Sequence, residues 1–534
     1  MNRLAIGYAI GKLLQVMGCV LIIPFCLDVY HHFSLPFVQF VAIPEVFGFI
    51  AAMILSILLG TILTTICYSS RDLQGVREGF AIVTLGWIAL TLVGCIPFFT
   101  YFLGSEDPLS TIKVGRCFTD AYFEIMSGFT TTGATIIANI EGLPRSLLFW
   151  RSLTHWLGGM GIITLALAIF PAMGVSGYQM FRGEVPGPSA ERLQPRLAET
   201  AKILWGVYLL LSVVETLLLF VGGMSLFDSL CHTFGTMATG GFSTRNASIG
   251  AYNSNYIDWV VTVFMFLAGM NFLIHYRVLR GKYDDLFVNR EFRFYAVTIC
   301  ACTICVTAIL YYSGLPPVDD AAGPFYHDAP VMEEFSRHIA AAESAKLDSL
   351  YQCFRKAAFQ VVAITTTTGY GTANFDLWPD ICRFLLVVLM FCGGCAGSTG
   401  GGMKMVRIMV VLKTAGRELR KMSKPRLIAP LKIGDAAVNE STVINIVAFF
   451  ILFMTLFVAS ALLLTLFVPD LVTAVTAAAA TIGNIGPGLA GVGTTEHYGW
   501  IPCPGKWILI FCMLLGRLEI FTVLIAFNPA TWKS

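Results

Sequence analysis

Charge is what this sequence has least of. Asp, Glu, Lys and Arg make up 13% of its 534 residues, about half the roughly 25% of an ordinary soluble chain. With 56% hydrophobic residues, too little polar side chain remains to cover a water-soluble globule, so most of the outside must face lipid. The near-balance of 35 basic and 33 acidic residues gives no reason to expect a nucleic acid as partner. Signatures of catalysis are missing too: there is no HExxH, no GxSxG and no pair of carboxylates on one apolar stretch, so the chain is not read as an enzyme. It lacks Rossmann and Walker glycine patterns, and any nucleotide control must come from another chain. Cys392-Gly-Gly-Cys395 has no second CxxC or histidine cluster to complete a zinc or redox site, and most of the 15 cysteines lie inside apolar runs as small hydrophobes.

What the sequence has in abundance is apolar length. Ten runs lie at approximately 5–27, 45–68, 79–103, 148–172, 203–226, 256–276, 293–315, 380–402, 443–468 and 505–527. Each approaches the about 20 residues needed to cross a roughly 30 Å hydrocarbon layer. The first follows Met1-Asn2-Arg3 with no small-residue cleavage pattern and is read as a retained helix rather than a signal peptide. Four shorter apolar segments, near 116–130, 228–238, 350–366 and 471–481, end in glycine turns followed by polar sequence. These read as re-entrant half-helices. The expected fold is therefore an all-α polytopic membrane protein with ten transmembrane helices and four half-helices. Lys and Arg set its orientation. Residues 403–432 hold nine bases against one acid, Glu418, and are expected in the cytoplasm; residues 314–348 hold seven acids against two bases and are expected outside. Both termini are then cytoplasmic, and the half-helices dip in from the external face.

After the first two spans, the order helix, half-helix, helix recurs four times, dividing the chain into 1–70, 71–180, 195–285, 290–425 and 435–534. The half-helices end in Thr130-Thr131-Thr132-Gly133, Met237-Ala238-Thr239-Gly240, Thr366-Thr367-Thr368-Gly369 and Ala480-Thr481-Ile482-Gly483, with Asn484 next. One such turn is explained by helix packing, where small residues are common. Four of them, each between two full spans, point to a shared site. Backbone that leaves a helix at membrane depth must be buried in protein or line a water-filled path. A helix C-terminus carries about half a negative charge, and extended Thr-Gly backbone offers rings of carbonyl oxygens that replace a cation's hydration shell. Potassium, which dehydrates readily, suits such rings. Gly133, Gly240, Gly369 and Gly483 are read as equivalent, the fourth turn departing most from the threonine pattern.

The stretches Ser127-Gly-Phe-Thr-Thr-Thr-Gly-Ala134, Arg151-Ser-Leu-Thr-His-Trp-Leu-Gly-Gly-Met-Gly161, Met237-Ala-Thr-Gly-Gly-Phe-Ser243, Thr365-Thr-Thr-Thr-Gly-Tyr-Gly371 and Ile482-Gly-Asn-Ile-Gly-Pro-Gly488 together resemble the Trk, Ktr and HKT superfamily of potassium transporters. The two extra N-terminal spans are similar to the TrkH and TrkG type of bacterial membrane subunit. The resemblance implies potassium uptake across a bacterial inner membrane by a homodimer, each subunit with its own pore, docked on a cytoplasmic nucleotide-binding ring of the TrkA kind. Potassium is then the transported ion, and the chain holds no cofactor. It implies filter residues Thr131, Thr132, Gly133, Ala238, Thr239, Gly240, Thr367, Thr368, Gly369, Thr481, Ile482, Gly483 and Asn484. Family members with glycine in all four filters favour potassium, whereas serine in the first goes with sodium selectivity in some HKT proteins.

Between Cys392 and Gly402 stand six glycines: Gly393, Gly394, Gly397, Gly400, Gly401 and Gly402. At about 1 kcal/mol each relative to alanine, they are expected to break the helix. In the family this break is similar to an intramembrane loop that obstructs the pore below the filter and is moved by the cytoplasmic partner; close helix packing is the other reading. Arg517 falls in the middle of the last run, too deep to face lipid. It is expected to face the pore and hydrogen-bond the glycine loop, pairing with a carboxylate being the alternative; Glu519 lies on another helix face. Asp120 and Glu124 either concentrate cations at the mouth or brace the wall. His155, Asn271 and His275 are expected to be packed, hydrogen-bonded groups. The segment 182–202, with Arg182, Arg192, Arg196 and Lys202, is a docking surface for the cytoplasmic partner or a solvated loop. The competing function is a secondary transporter coupling potassium to protons or sodium; inverted repeats would favour it, whereas these units all repeat in one orientation.

Overall fold

Apolar run length decides most of the architecture. The computed structural model describes residues 1–70, 76–105, 111–168, 193–313, 350–424, 430–433 and 436–532. Among them, six helices are long and apolar enough to cross a membrane: Arg3–His31, Pro44–Ile66, Glu78–Gly104, Thr200–Val221, Arg290–Ser313 and Glu440–Leu464. Pro44 opens the second, where its missing N–H is not needed. Ile54, Leu58, Ile62 and Ile66 stand exposed at four-residue spacing along one side of that helix, a surface suited to lipid rather than water. Its other side buries Phe49, Ala52, Ser56 and Gly60. The remaining structure is nearly all helical, with one two-residue antiparallel pairing of Lys432–Ile433 with Ala436–Ala437.

Three of the ten expected spans are not continuous. The run 256–276 is a helix over Asn255–Ala268 that bends by 103° into Phe272–Leu279, where Asn271 caps the new helix by accepting the Leu273 N–H. The run 505–527 bends by 113° between Cys503–Arg517 and Ile520–Phe527, and Glu519 takes φ +57° in the corner. Arg517 thus ends a helix instead of sitting inside one. The run 380–402 stops at Met390, and a new helix, Met405–Ser423, begins only after the glycine-rich stretch. At the first bend every residue except Asn271 is apolar or glycine, and at the second Arg517 and Glu519 are two isolated charges in an otherwise apolar run, so mean hydropathy stays high through both corners. The basic loop expected over 403–432 is thus mostly helix, and its Arg417 pairs with Glu440 at 2.8 Å.

Four further helices stop inside the helical wall: Thr111–Phe129, Leu226–Met237, Leu350–Thr365 and Leu471–Ile482. The first has 19 residues and begins at Thr111, ahead of the segment expected from 116, because its opening turn carries Lys113. The acidic segment 314–348 and most of 182–202, with Arg182 and Arg192, lie outside the described residues.

The N-terminal helix crosses Pro44–Ile66 where two glycines meet. A methyl group on Gly11 would lie 2.9 Å from the Gly60 carbonyl oxygen, and one on Gly60 2.8 Å from that of Gly11, so backbones touch as small residues in apolar helices allow. Gly60→Leu is expected to lower the melting temperature of the detergent-solubilised protein by about 2–6 °C. Gly206, on Thr200–Val221 with nothing within 4 Å of its added carbon, is the control, and Gly206→Ala should shift it by less than about 1 °C.

Candidate functional site

The four helices that stop inside the wall end in one hydrogen-bond pattern. At the first, the Thr131 N–H reaches back to the Gly128 carbonyl at 3.0 Å and the Thr132 N–H to that of Ser127 at 2.9 Å. The same pair of contacts recurs as Thr239 to Thr236 and Gly240 to Gly235, Thr367 to Ile364 and Thr368 to Ala363, and Asn484 to Thr481 and Ile485 to Ala480. This is the Schellman arrangement, which satisfies a helix's last carbonyls through one left-handed residue. Thr131, Thr239, Thr367 and Asn484 take φ of 50°, 54°, 61° and 54°. Left-handed geometry costs an L-residue roughly 1–2 kcal/mol, and a β-branched one stays there only when its surroundings enforce it.

Two residues beyond each left-handed residue stands a glycine at positive φ: Gly133, Gly241, Gly369 and Gly486, at 80°, 78°, 75° and 101°. A Cβ on Gly133 would overlap the Gly240 carbonyl oxygen, one on Gly241 that of Thr368, one on Gly369 that of Ile485, and one on Gly486 would lie 2.7 Å from that of Thr132. The contacts run from unit one to two, three, four and back to one. They close a ring in which the carbonyls of Thr132, Gly240, Thr368 and Ile485 alternate with glycines that have no room for a side chain.

This ring corrects the equivalence read from sequence. Gly240 matches Thr132, not Gly133, and the second unit's positive-φ glycine is Gly241. Gly483 is still right-handed, at φ −79°; Thr481 and Ile482 stand on the last helical turn, and the fourth unit's turn residue, ring carbonyl and glycine are Asn484, Ile485 and Gly486. Adjacent glycines at 240–241, and three glycines between 483 and 488, permit more than one register, and only the hydrogen bonds choose. Ala238 likewise belongs to the helix end, matching Thr130 and Thr366. Those two threonines face Thr132 and Thr368, each pair of hydroxyls 2.8 Å apart. Asn484 closes unit four on unit one, its Nδ2 donating to Thr132 Oγ1 at 3.0 Å and to the Met513 carbonyl at 2.9 Å.

Around the ring the acids are occupied. Glu124 is fully buried, receives Thr135 Oγ1 at 3.0 Å and the Ile136 N–H at 2.9 Å, and pairs with Arg151. Asp120 pairs with Lys506. Both acids brace the wall. On one side the ring opens into a space lined by Gly133, Gly241, Gly369, Gly486, Arg245 and Glu496. Burial, with Asp376 nearby, pushes the Glu496 carboxyl up to about 7. His275 is hydrogen-bonded to the Leu267 carbonyl at 2.9 Å, whereas His155 stacks on Phe242 with ring centroids 4.0 Å apart. Among the described residues, no group of three or more His, Cys, Asp or Glu is placed to hold a metal, and all fifteen cysteines are free.

Against the other side of the ring lies the glycine stretch. The Gly401 N–H donates to Thr367 Oγ1 at 2.7 Å, and Thr399 Oγ1 to the Met237 carbonyl at 3.0 Å. A methyl on Gly401 would lie 2.6 Å from Asn484 Cβ, so the stretch touches units two, three and four. Arg517, fully inside, donates through Nη1 to the Thr399 carbonyl and through Nη2 to that of Gly158 at 2.9 Å. Two groups not singled out in the sequence complete the cradle. Glu291 receives the Ala396 and Val406 N–H groups at 2.7 and 3.1 Å, and Lys404 Nζ donates to the Gly400 carbonyl. Glu519 pairs with Arg407, so Arg517 has carbonyl partners instead of the neighbouring acid. Cys395 contributes its N–H to the Gly269 carbonyl at 2.8 Å.

Comparison with known proteins agrees with this architecture. The family model described as TrkH: Cation transport protein matches residues 46–534. The chain is 38% identical over 460 residues to the Trk system potassium uptake protein TrkH of Salmonella typhimurium, covering 86% of each chain, and 31% identical to the Escherichia coli protein TrkG over the same shares. The crystal structure of the potassium transporter TrkH from Vibrio parahaemolyticus superposes over 100% of both chains with a TM-score of 0.80 at 31% identity. A match along nearly the whole length, in sequence and in fold, means that this chain belongs to the TrkH family of cation transport proteins.

Proposed function

We propose that the chain takes up potassium across a bacterial cytoplasmic membrane through the ring formed by its four helix-end turns. The observation that carries this reading is the closed alternation of carbonyls and side-chain-free glycines, with four helix C-termini behind it. Each terminus holds about half a negative charge, and ring carbonyls replace the water that a monovalent cation sheds. The names of the relatives, which are potassium uptake proteins, support the same ion. In this reading ten crossings and four re-entrant helices build the wall, both termini are cytoplasmic, and two helices over 1–70 precede four pore units at 71–180, 195–285, 290–425 and 435–534.

The gate is the glycine stretch from Gly393 to Gly402 with Arg517. It rests on Thr367 and Asn484 and is latched by Arg517, so a cation leaving the ring meets both a steric block and a positive charge. Moving the latch opens the path. Met405–Ser423 leads directly out of the stretch and carries Lys413 and Arg420 to the surface, which makes it the lever by which a cytoplasmic nucleotide-binding partner pulls the gate. The working unit is a homodimer in this reading, each subunit with its own pore.

Gly369→Ser places a side chain against the Ile485 carbonyl. It is expected to cut potassium flux into liposomes by roughly tenfold or more and to lower the preference over sodium; a variant with wild-type flux and preference would remove Gly369 from the filter. Glu496 is mostly neutral at pH 6 and ionised at pH 8, given its carboxyl near 7, so the mouth gains negative charge as pH rises. Tracer potassium entry should rise roughly two- to threefold over that interval, and Glu496→Gln should flatten the rise; an equal rise in the variant would assign it elsewhere.

A further inference from the structure

The left-handed residues put the four units in one register, and that register reveals a second set of contacts behind the ring. Seven residues before Thr131, Thr239, Thr367 and Asn484 stand Glu124, His232, Gln360 and Ala477, all fully buried. Four residues after them stand Thr135, Ser243, Gly371 and Gly488. In unit one these two positions meet, Thr135 Oγ1 donating to Glu124 at 3.0 Å. In unit two they meet again, with His232 Nε2 and Ser243 Oγ 2.9 Å apart. His232 Nδ1 lies 2.8 Å from the Asp228 carbonyl oxygen, which can only accept, so Nδ1 carries the proton and Nε2 accepts from the serine hydroxyl. In unit three the two positions are Gln360 and Gly371, and neither polar atom of Gln360 has a hydrogen-bond partner among the described residues. Unit four has alanine and glycine. The same link is therefore made by an acid in one unit and a neutral imidazole in another, and not at all in the remaining two.

Arg151 joins the two links. It pairs with Glu124, donates through Nη1 to the Ser243 carbonyl at 2.9 Å, and lies 3.7 Å from the centre of the Phe242 ring. The Tyr370 hydroxyl, from unit three, donates to the His232 carbonyl at 2.9 Å. A continuous polar chain thus runs behind three units as Thr135, Glu124, Arg151, Ser243, His232 and Tyr370.

We infer that His232 and Glu124 are positioning residues for cation selection, holding Ser243 and Thr135 against their helices and so fixing the carbonyls of Gly240 and Thr132 three residues upstream. The inference rests on the potassium-selective reading above. A ring of oxygens prefers the larger of two cations only if it does not close around the smaller, and these links tie the chain just beyond the ring to rigid helix. The neutral link is the one to test, because removing Glu124 strands the buried charge of Arg151 and destabilises the fold whatever its role.

The experiment measures zero-current potentials of the purified full-length protein in liposomes under opposed potassium and sodium gradients. Wild type is compared with Ser243→Ala, His232→Leu, the double variant, and His232→Gln, which places the residue of position 360 at 232. Ser243→Ala and His232→Leu are each expected to lower the potassium-to-sodium permeability ratio by roughly three- to tenfold, the range of one hydrogen bond. The double variant should go no lower than the larger single, as two halves of one contact do, and His232→Gln, which keeps an acceptor, should retain most of the ratio. A Ser243→Ala ratio equal to wild type, or single effects that multiply in the double variant, would overturn the inference. Ser243→Ala removes one oxygen atom, which also accepts the Arg245 N–H at 3.0 Å, so an unchanged ratio overturns the inference even if His232→Leu fails to fold, and His232→Gln separates the two contacts. A wild type without potassium preference would instead sink the potassium reading, so the two failures are distinguishable.

Discussion

A helix that stops at membrane depth leaves its last carbonyls without partners, and this structure follows from how four helices meet that constraint together. Each reverses through one left-handed residue, so that two N–H groups return to the final turn. Threonine or asparagine holds the position where glycine would be cheapest. Thr367 is held there by the Gly401 N–H of its own unit, and Asn484 by Thr132 of unit one and by the Met513 carbonyl. At Asn484 local strain and ring closure thus coincide.

The same crowding explains the glycines and the broken helices. Four backbones meet at the ring with carbonyls pressed against the glycines, so Gly133, Gly241, Gly369 and Gly486 have no room for a Cβ. One layer away, Gly158 and Gly516 bring helices against the ends of their own units' helices, where a methyl would overlap the Phe129 and Ile482 carbonyl oxygens. Beyond that contact the chain turns at Gly269 and at Glu519, and between 391 and 404 it abandons the helix altogether. Freed backbone at this depth needs partners, and Glu291, Lys404, Arg517 and Thr399 supply them. The buried charges here are accordingly bound to backbone groups, which is how ionisable residues are kept inside a membrane protein.

Much of this was legible in the sequence, for identifiable reasons. Span-length apolar runs announce themselves because nothing else in a chain of this kind is so long and so uncharged, and four threonine or glycine turns between them mark the repeat. The corners at Gly269 and Glu519 were not legible, because the runs around them stay apolar on average, with Arg517 and Glu519 as isolated charges. The filter register slipped by one in unit two and by three in unit four, where consecutive or clustered glycines gave no single choice and Asn484 stood in for threonine. Arg517 reads as a charge too deep for lipid, but hydropathy alone makes the run around it one continuous helix. Lys404 and Glu291 escaped notice because each sits at the edge of a basic or apolar run and meets its partners only through folding. The links behind the ring were invisible for the same reason: Glu124 and His232 share no chemistry, and only the common left-handed residue shows that they occupy one position.

The proposed pore stands or falls on what drives the ion. The most direct measurement is the reversal potential of the purified protein in sealed liposomes while potassium, sodium and proton gradients are varied independently. A ring of backbone carbonyls predicts a potential that follows the potassium gradient and is indifferent to pH and nearly so to sodium. Potassium moving against its own electrochemical gradient when a proton or sodium gradient is imposed would contradict the pore and favour coupled transport.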